Sequence, residues 1–342
     1  MSTDLWQQAD QAIRRRHIPI QMMVEVTRRC NLHCLHCYNL KDQSVLSFEE
    51  VSLIAAQLRQ AGCLFVTLTG GEMFTRPDAI AVIRTFRQKG FDVKLITNAT
   101  LIADEQAGQL RDLCLSEIGV SILGACAATH DRITGVAGSF EKSTRMIRRL
   151  KALDVPVHLK CTLMQDNLDE EAALKSLAQE LGVIYLMDPI VSPQDNGSQA
   201  ALKHRLTAPQ METFYSQQFA TLEPVPASTD GLPCEAGTTF GAISARGDVY
   251  PCIQMPIPVG NIFKQDFVSI WQGARFLAKI RQAESGHFST CHTCHDAKFC
   301  TRCPGLAYLE DGDAFGPSTV ACQIAKISRN SQECRFTRQV NP

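Results

Sequence analysis

The chain has 342 residues, a formal net charge of −1, 45% hydrophobic residues and 20% charged residues. So even a balance gives no bulk attraction to nucleic acid or to an anionic membrane, and the length allows one large domain with a smaller one. Apolar runs are too short to span a bilayer and the first 21 residues are too polar for a secretory signal, so the expected location is the cytoplasm, with no membrane partner.

After an N-terminal segment (1–20), the pattern from about residue 21 to 205 repeats strand, loop and helix. Short aliphatic or β-branched runs at 22–26, 64–68, 93–96, 118–122, 157–163 and 184–187 have the composition of strands buried on both faces of a parallel sheet. Ser47 followed by Glu50 predicts a capping box, after which Val51, Ile54, Ala55 and Leu58 share one face until Gly62. Pro77 suits a first helical position, with Ile80, Ile83 and Phe86 as the apolar stripe and Gly90 as the stop. Ser139 opens a helix that turns Met146, Ile147 and Leu150 inward. Asn167 or Asp169 opens another, carrying Leu174, Leu177 and Leu181 to Gly182. Roughly six βα units require a parallel sheet with helices outside it, and they are too few for a closed eight-stranded barrel. The predicted fold is therefore α/β, a partial (β/α)6 barrel with its chemistry at the C-terminal ends of the strands. A proline-punctuated linker (206–233) with one helical stretch near 210–222 follows. Residues 234–342 read as a small, loop-rich domain whose stability depends partly on metal.

Fifteen cysteines in a chain of this size point to metal ligands rather than disulfides in a reducing compartment. Cys30, Cys34 and Cys37 form C-x3-C-x2-C directly after the first strand. Three thiolates on one loop suit three irons of a 4Fe–4S cluster, leaving the fourth iron open. A zinc site completed by His33 or His36 is the alternative. With Gly70, Gly71 and Glu72 ending the second strand as TGGE, the chain resembles the radical S-adenosylmethionine superfamily. The resemblance implies that this turn receives the methionyl amino group of S-adenosylmethionine. It places His36 near the adenine and Ser121, in VSILG, near the ribose or carboxylate. It puts Met187 beside the adenine, and it leaves Arg132 to serve where relatives carry an arginine at the position of Thr134. Asn98 and Lys160 are expected on the same rim, facing substrate. A lysine on a buried strand needs a partner.

The second cysteine set runs Cys234, Gly247, Cys252, then Cys291-x2-Cys294-x5-Cys300-x2-Cys303, then Cys322. Four thiols within 291–303 could alone describe a zinc knuckle. The whole order resembles the SPASM extension of radical enzymes, which holds two auxiliary clusters, except that two residues rather than three separate Cys300 from Cys303. The resemblance implies that Cys291, Cys294, Cys300 and Cys322 enclose one cluster. Cys234, Cys252 and Cys303 would hold the other, with its fourth iron open or bound by Cys334 or another side chain. Cys63, Cys114, Cys126 and Cys161 are expected to be buried apolar thiols.

The implied cofactors are three 4Fe–4S clusters and S-adenosylmethionine. The implied activity is reductive cleavage of that cofactor to a 5′-deoxyadenosyl radical and oxidative modification of a peptide or protein. Decarboxylation in the haem pathway is the alternative, and an inactive iron–sulfur scaffold a further one. Expected partners are a ferredoxin or flavodoxin as electron donor and, because few residues precede the barrel, a separate leader-binding protein.

Overall fold

A computed structural model describes residues 2–40, 42–219, 234–283 and 288–340. Helix α1 (Ser2–Arg15) precedes β1 (Gln21–Thr27). Crossover helices then alternate with strands: α2 (Phe48–Gln60), β2 (Phe65–Gly70), α3 (Ala79–Gln88), β3 (Asp92–Thr97), α4 (Asp104–Asp112) and β4 (Glu117–Ser121). Next come α5 (Ala127–Thr134), α6 (Ser139–Lys151), β5 (Val157–Thr162), α7 (Glu171–Glu180) and β6 (Ile184–Asp188). The remaining elements are α8 (Ala208–Phe219), β7 (Phe240–Ile243), β8 (Asp248–Tyr250), β9 (Gly260–Asn261), α9 (Phe267–Gly273), α10 (Arg275–Arg281), α11 (Ser289–His292), α12 (Pro304–Asp311) and α13 (Thr319–Val340).

One nine-stranded sheet runs β6-β5-β4-β3-β2-β1-β7-β8-β9 and does not close on itself. The six expected strands are all present and parallel, each pairing with the next in sequence. Side chains alternate between the faces. Val66, Leu68, Val93, Leu95, Ile118, Val120 and Leu159 are buried in the core beneath the helices. Lys94, Glu117, His158 and Lys160 alternate with them and point into the concave side.

The sheet also continues past β1 on its other side. β7 pairs with β1 in parallel from Gln21↔Phe240 to Val24↔Ile243, and β8 and β9 follow antiparallel. The segment from residue 234 carries more helix than its cysteine and glycine density suggests, and Phe267, Trp271 and Leu277 there are no more than 1% exposed.

The predicted capping box of α2 forms, with Glu50 N donating to Ser47 Oγ at 3.1 Å and Ser47 N donating to Glu50 Oε2 at 2.7 Å. Pro77 does not open its helix. α3 begins at Ala79 behind Asp78, whose carboxylate is held by the buried Arg76 at 2.8 Å. Of the four thiols expected inside, Cys63 and Cys161 are buried, but Cys114 and Cys126 are exposed. Cys114 stands just past α4 with a φ of 49°, and Cys126 precedes the first turn of α5, so both fall off the core-facing stripes. The expected helix near 210–222 is α8. Its last three positions, and Pro224, Pro226 and Pro233, lie outside the described residues.

Candidate active site

The loop bearing Cys30, Cys34 and Cys37 leaves the C-terminal end of β1 and is pinned on every side. Gly71 N donates to Thr27 O at 2.8 Å and Glu72 N to Arg29 O at 2.7 Å. This approach is why both glycines are needed. A Cβ on Gly70 would lie 2.1 Å from Thr27 O, and one on Gly71 would lie 2.2 Å from Arg29 O. The TGGE turn thus clamps the backbone that delivers Cys30. On the other flank, His33 N donates to Thr134 O at 2.7 Å and Leu35 N to Ile133 O at 3.0 Å, docking the loop on the end of α5. Arg28, 7% exposed, ties the loop's two ends together. Its Nε donates to Leu40 O at 3.0 Å, and its guanidinium pairs with Asp195 and, at 3.4 Å, with Asp42. Leu32 N donates to Cys30 Sγ at 3.4 Å.

Glu72 is 1% exposed and its carboxylate turns inward. Oε1 accepts from Phe74 N at 3.0 Å and Thr97 Oγ1 at 2.8 Å, and Oε2 from Asn98 N at 2.7 Å. Burial raises its pKa, against the pull of these donors. Asn98, expected to face substrate, is also spent on structure. Its Nδ2 donates to Asn31 Oδ1 at 3.1 Å and its Oδ1 accepts from Thr100 N at 2.9 Å, joining the β3 rim to the cysteine loop. Arg132 is paired with Asp166 at 2.9 Å, and His204 Nδ1 holds the same carboxylate at 2.7 Å. His36 lies near that pair. Its Nδ1 is buried with no hydrogen-bond partner, and burial, then the charge of His204, lowers its pKa to about 4. Met187 shares the face of Tyr185 and packs on the core beside its register neighbour Cys161, away from the concave side. Ser121 is half-buried at the end of β4, paired in register with Lys160.

The C-terminal thiols fall into two neighbourhoods. Burial, joined by the charges of Cys303 and Cys234, pushes Cys252 up to about 12. Cys234 is likewise raised by burial and then by Cys303. Separately, burial and the charges of Cys322, Cys291 and Cys294 push Cys300 up to about 11, and Cys322 feels Cys291 and Cys294 in turn. The charges of Cys303 and Cys234 thus reach Cys252, and those of Cys322, Cys291 and Cys294 reach Cys300, and thiols gathered in this way have the donor chemistry that an iron–sulfur centre takes. Cys303 reaches the first group because α12 packs close to the Cys252 loop, where a Cβ on Gly305 would lie 2.4 Å from Gln254 O. Among the described residues, no three His, Cys, Asp or Glu side chains converge tightly enough for a single ion. No disulfide joins any of the described cysteines.

Several residues at this site escaped sequence reasoning. Tyr38, next to Cys37, donates its hydroxyl to the carbonyl of Ile253, next to Cys252, so one hydrogen bond joins the first cysteine loop to the second set. Glu25 is 4% exposed and accepts from Asn39 Nδ2 at 3.1 Å. On the concave face, Glu117 lies 3.1 Å from Lys94, 3.2 Å from His158 and 4.0 Å from Lys160. The available signal was an ionisable residue inside each strand run.

Residues 24–177 match the family model described as the Radical SAM superfamily, and residues 234–304 match the SPASM iron-sulfur cluster-binding domain. The AdoMet-dependent heme synthase of Methanosarcina barkeri is 32% identical over 324 residues, covering 84% of this chain and 92% of that one. This chain belongs to the radical SAM superfamily. It is an enzyme of that class, and both matched regions imply iron–sulfur clusters and S-adenosylmethionine. Another radical SAM relative, the PqqA peptide cyclase of Rhodopseudomonas palustris, is 31% identical, with 91% and 88% of the two chains covered. Among solved structures, Streptococcus suis SuiB bound to precursor peptide SuiA matches with a TM-score of 0.72 at 17% identity, covering 93% of this chain and 80% of that one. anSMEcpe with bound AdoMet and Cp18Cys peptide matches at 0.70 and 15% identity, covering 94% and 99%. At such identities the likeness speaks for the fold, the open radical SAM barrel.

Proposed function

We propose that this radical SAM enzyme oxidatively modifies a peptide, using three 4Fe–4S clusters. Cys30, Cys34 and Cys37 would hold the first and leave one iron for S-adenosylmethionine. Cys291, Cys294, Cys300 and Cys322 would enclose the second, and Cys234, Cys252 and Cys303 would hold the third. When bound, the first cluster and S-adenosylmethionine supply a carbon radical able to take hydrogen from an unactivated C–H bond. The chain's own residues bind, orient and shield. With the Glu72 carboxylate turned inward, the backbone carbonyls of Gly70 and Gly71 are left to meet the amino group. Ser121, at the C-terminal end of β4, and His36, in the cysteine loop, would be further contacts of S-adenosylmethionine. Asn98, Arg132 and Met187 hold other positions and act through the scaffold.

The observation that carries the peptide reading is the open edge of the sheet. β6 ends it, with Ile184 58% and Leu186 38% exposed on the concave side, next to Lys160. Such an edge accepts an extended chain lengthwise. A relative named as a peptide enzyme, the PqqA peptide cyclase, supports it, and another, MftC of Mycobacterium tuberculosis, is named as a maturase. A ferredoxin or flavodoxin as donor, a separate leader-binding protein and a cytoplasmic location complete the proposal. Among the described residues, no helix is long and apolar enough to cross a membrane.

The heme synthase relative favours a second reading, tetrapyrrole decarboxylation. Anaerobic incubation of the reconstituted enzyme with S-adenosylmethionine, reductant and short peptides encoded beside its gene separates the two. Mass spectrometry is expected to show a peptide that has lost hydrogen. A modified porphyrin with every peptide unchanged would refute the peptide reading.

A further inference from the structure

The concave face of β3 to β6 carries charged side chains in strands otherwise made of aliphatic residues. In register, Lys94 pairs with Glu117, Ser121 with Lys160, and Lys160 with Leu186, so these residues form one wall below the rim that Ser121 marks. Lys94 closes on Glu117 at 3.1 Å. Lys160 does not: its Nζ stays 4.0 Å from Glu117 Oε1, beyond hydrogen-bond reach, and it makes no other hydrogen bond or ion pair among the described residues. The side chain is 39% exposed in the opening. The nearby Asp188 accepts from Ile190 N at 2.9 Å and feels the charge of Lys160 without reaching it as an ion pair.

The sequence makes room for this lysine. A Cβ on Gly119 would lie 2.5 Å from Lys160 Cδ and 3.3 Å from its Cγ, so the stem lies flat across a glycine in the middle of a buried strand. Glycine weakens a strand interior and marks a place where something else approaches closely. Here that neighbour is the aliphatic stem of a cation that no protein anion approaches within hydrogen-bond distance. Ile184 and Leu186, exposed on the same wall, offer an apolar surface beside it.

We propose that Lys160, supported by Lys94, seats a carboxylate of the substrate, whose apolar body lies along Ile184 and Leu186. This rests on the reading that the enzyme works on a molecule held in the open barrel, and it names the chemistry of that molecule. An acidic side chain of a peptide and a propionate arm of a tetrapyrrole both supply it.

Binding to the reconstituted full-length protein tests the assignment in two arms. The first compares coproporphyrin III with its tetramethyl ester by absorbance titration. The second compares a pool of amidated decapeptides, each with one glutamate, with the matched glutamine pool, by equilibrium dialysis and mass spectrometry. In at least one arm the carboxylate form is expected to bind about tenfold more tightly than its neutral counterpart. That preference should vanish in Lys160→Met and survive in Lys160→Arg. Gly119→Ala, which displaces the stem but keeps the charge, should weaken it too, and it carries the test if Lys160→Met does not fold. A preference confined to the porphyrin arm upholds the lysine site while the peptide reading fails. A preference in the peptide arm upholds both. No preference in either arm, or one that is unchanged in folded Lys160→Met or, where that variant does not fold, in Gly119→Ala, overturns the proposal.

Discussion

Glu72 shows how a motif residue can be recognised for one reason and used for another. In TGGE a carboxylate beside two glycines reads as a contact for an ammonium, yet its oxygens fix Phe74, Thr97 and Asn98. The sequence carried the position but not the direction of the side chain, because direction depends on β3, a neighbour brought by the fold. Glu25 was legible only as an acid inside an aliphatic strand run, since Asn39 and Asp195 reach it only through the fold. Burial, opposed by Arg28 and Asn39, raises its carboxyl from an ordinary 4.5 to about 7. The folded state therefore binds a proton more tightly than the unfolded chain, and folding weakens as pH climbs from about 4.5 to about 7. Glu25→Gln removes that cost while keeping an acceptor for Asn39. It should be more stable than the parent by about 1–3 kcal/mol at pH 8 and by less at pH 6. Thermal melts at the two pH values check this, and an equal gain at both would show that Glu25 is not the titrating group.

The elements that sequence periodicity revealed are those whose partners lie next in the chain. The strands from β1 to β6 are short aliphatic runs, and α2 announces itself by its cap. β7, β8 and β9 are short, and their register is set by β1 and by one another. α1 docks at its end through His17 O, which accepts from Trp271 Nε1 at 2.7 Å, a contact no local pattern encodes. Function follows the same division, because the two cysteine regions meet through Tyr38 and Ile253. Tyr38→Phe strips the donor from a part-buried carbonyl beside Cys252, a loss of about 0.5–1.5 kcal/mol. The variant should melt at a lower temperature and release iron to a chelator faster than the parent, with its starting iron content unchanged. Parent-like melting and release would show that the contact carries no stability.

On the scale of the molecule, β1 is the strand on which both regions depend. It pairs with β2 on one side and β7 on the other, and it feeds the loop of Cys30, Cys34 and Cys37. Cys234 and Cys252 flank the β7–β8 hairpin. The sequence showed two cysteine regions in order but not that one continuous sheet carries them. That joint is made by backbone pairing from Gln21↔Phe240 to Val24↔Ile243, and no thiol takes part in it. Removing the first set should therefore leave the sheet and the other two sets in place. A Cys30→Ala, Cys34→Ala, Cys37→Ala variant, reconstituted anaerobically, should keep about eight of about twelve irons, as expected for cubane clusters of four. It should form no 5′-deoxyadenosine, while its circular dichroism stays that of the parent. Loss of nearly all iron would mean that the three sets depend on one another or share ligands, and the division into groups of three, three and four would fall. Retention of all the iron would remove Cys30, Cys34 and Cys37 from the ligand set, and with them the site at which S-adenosylmethionine is proposed to bind.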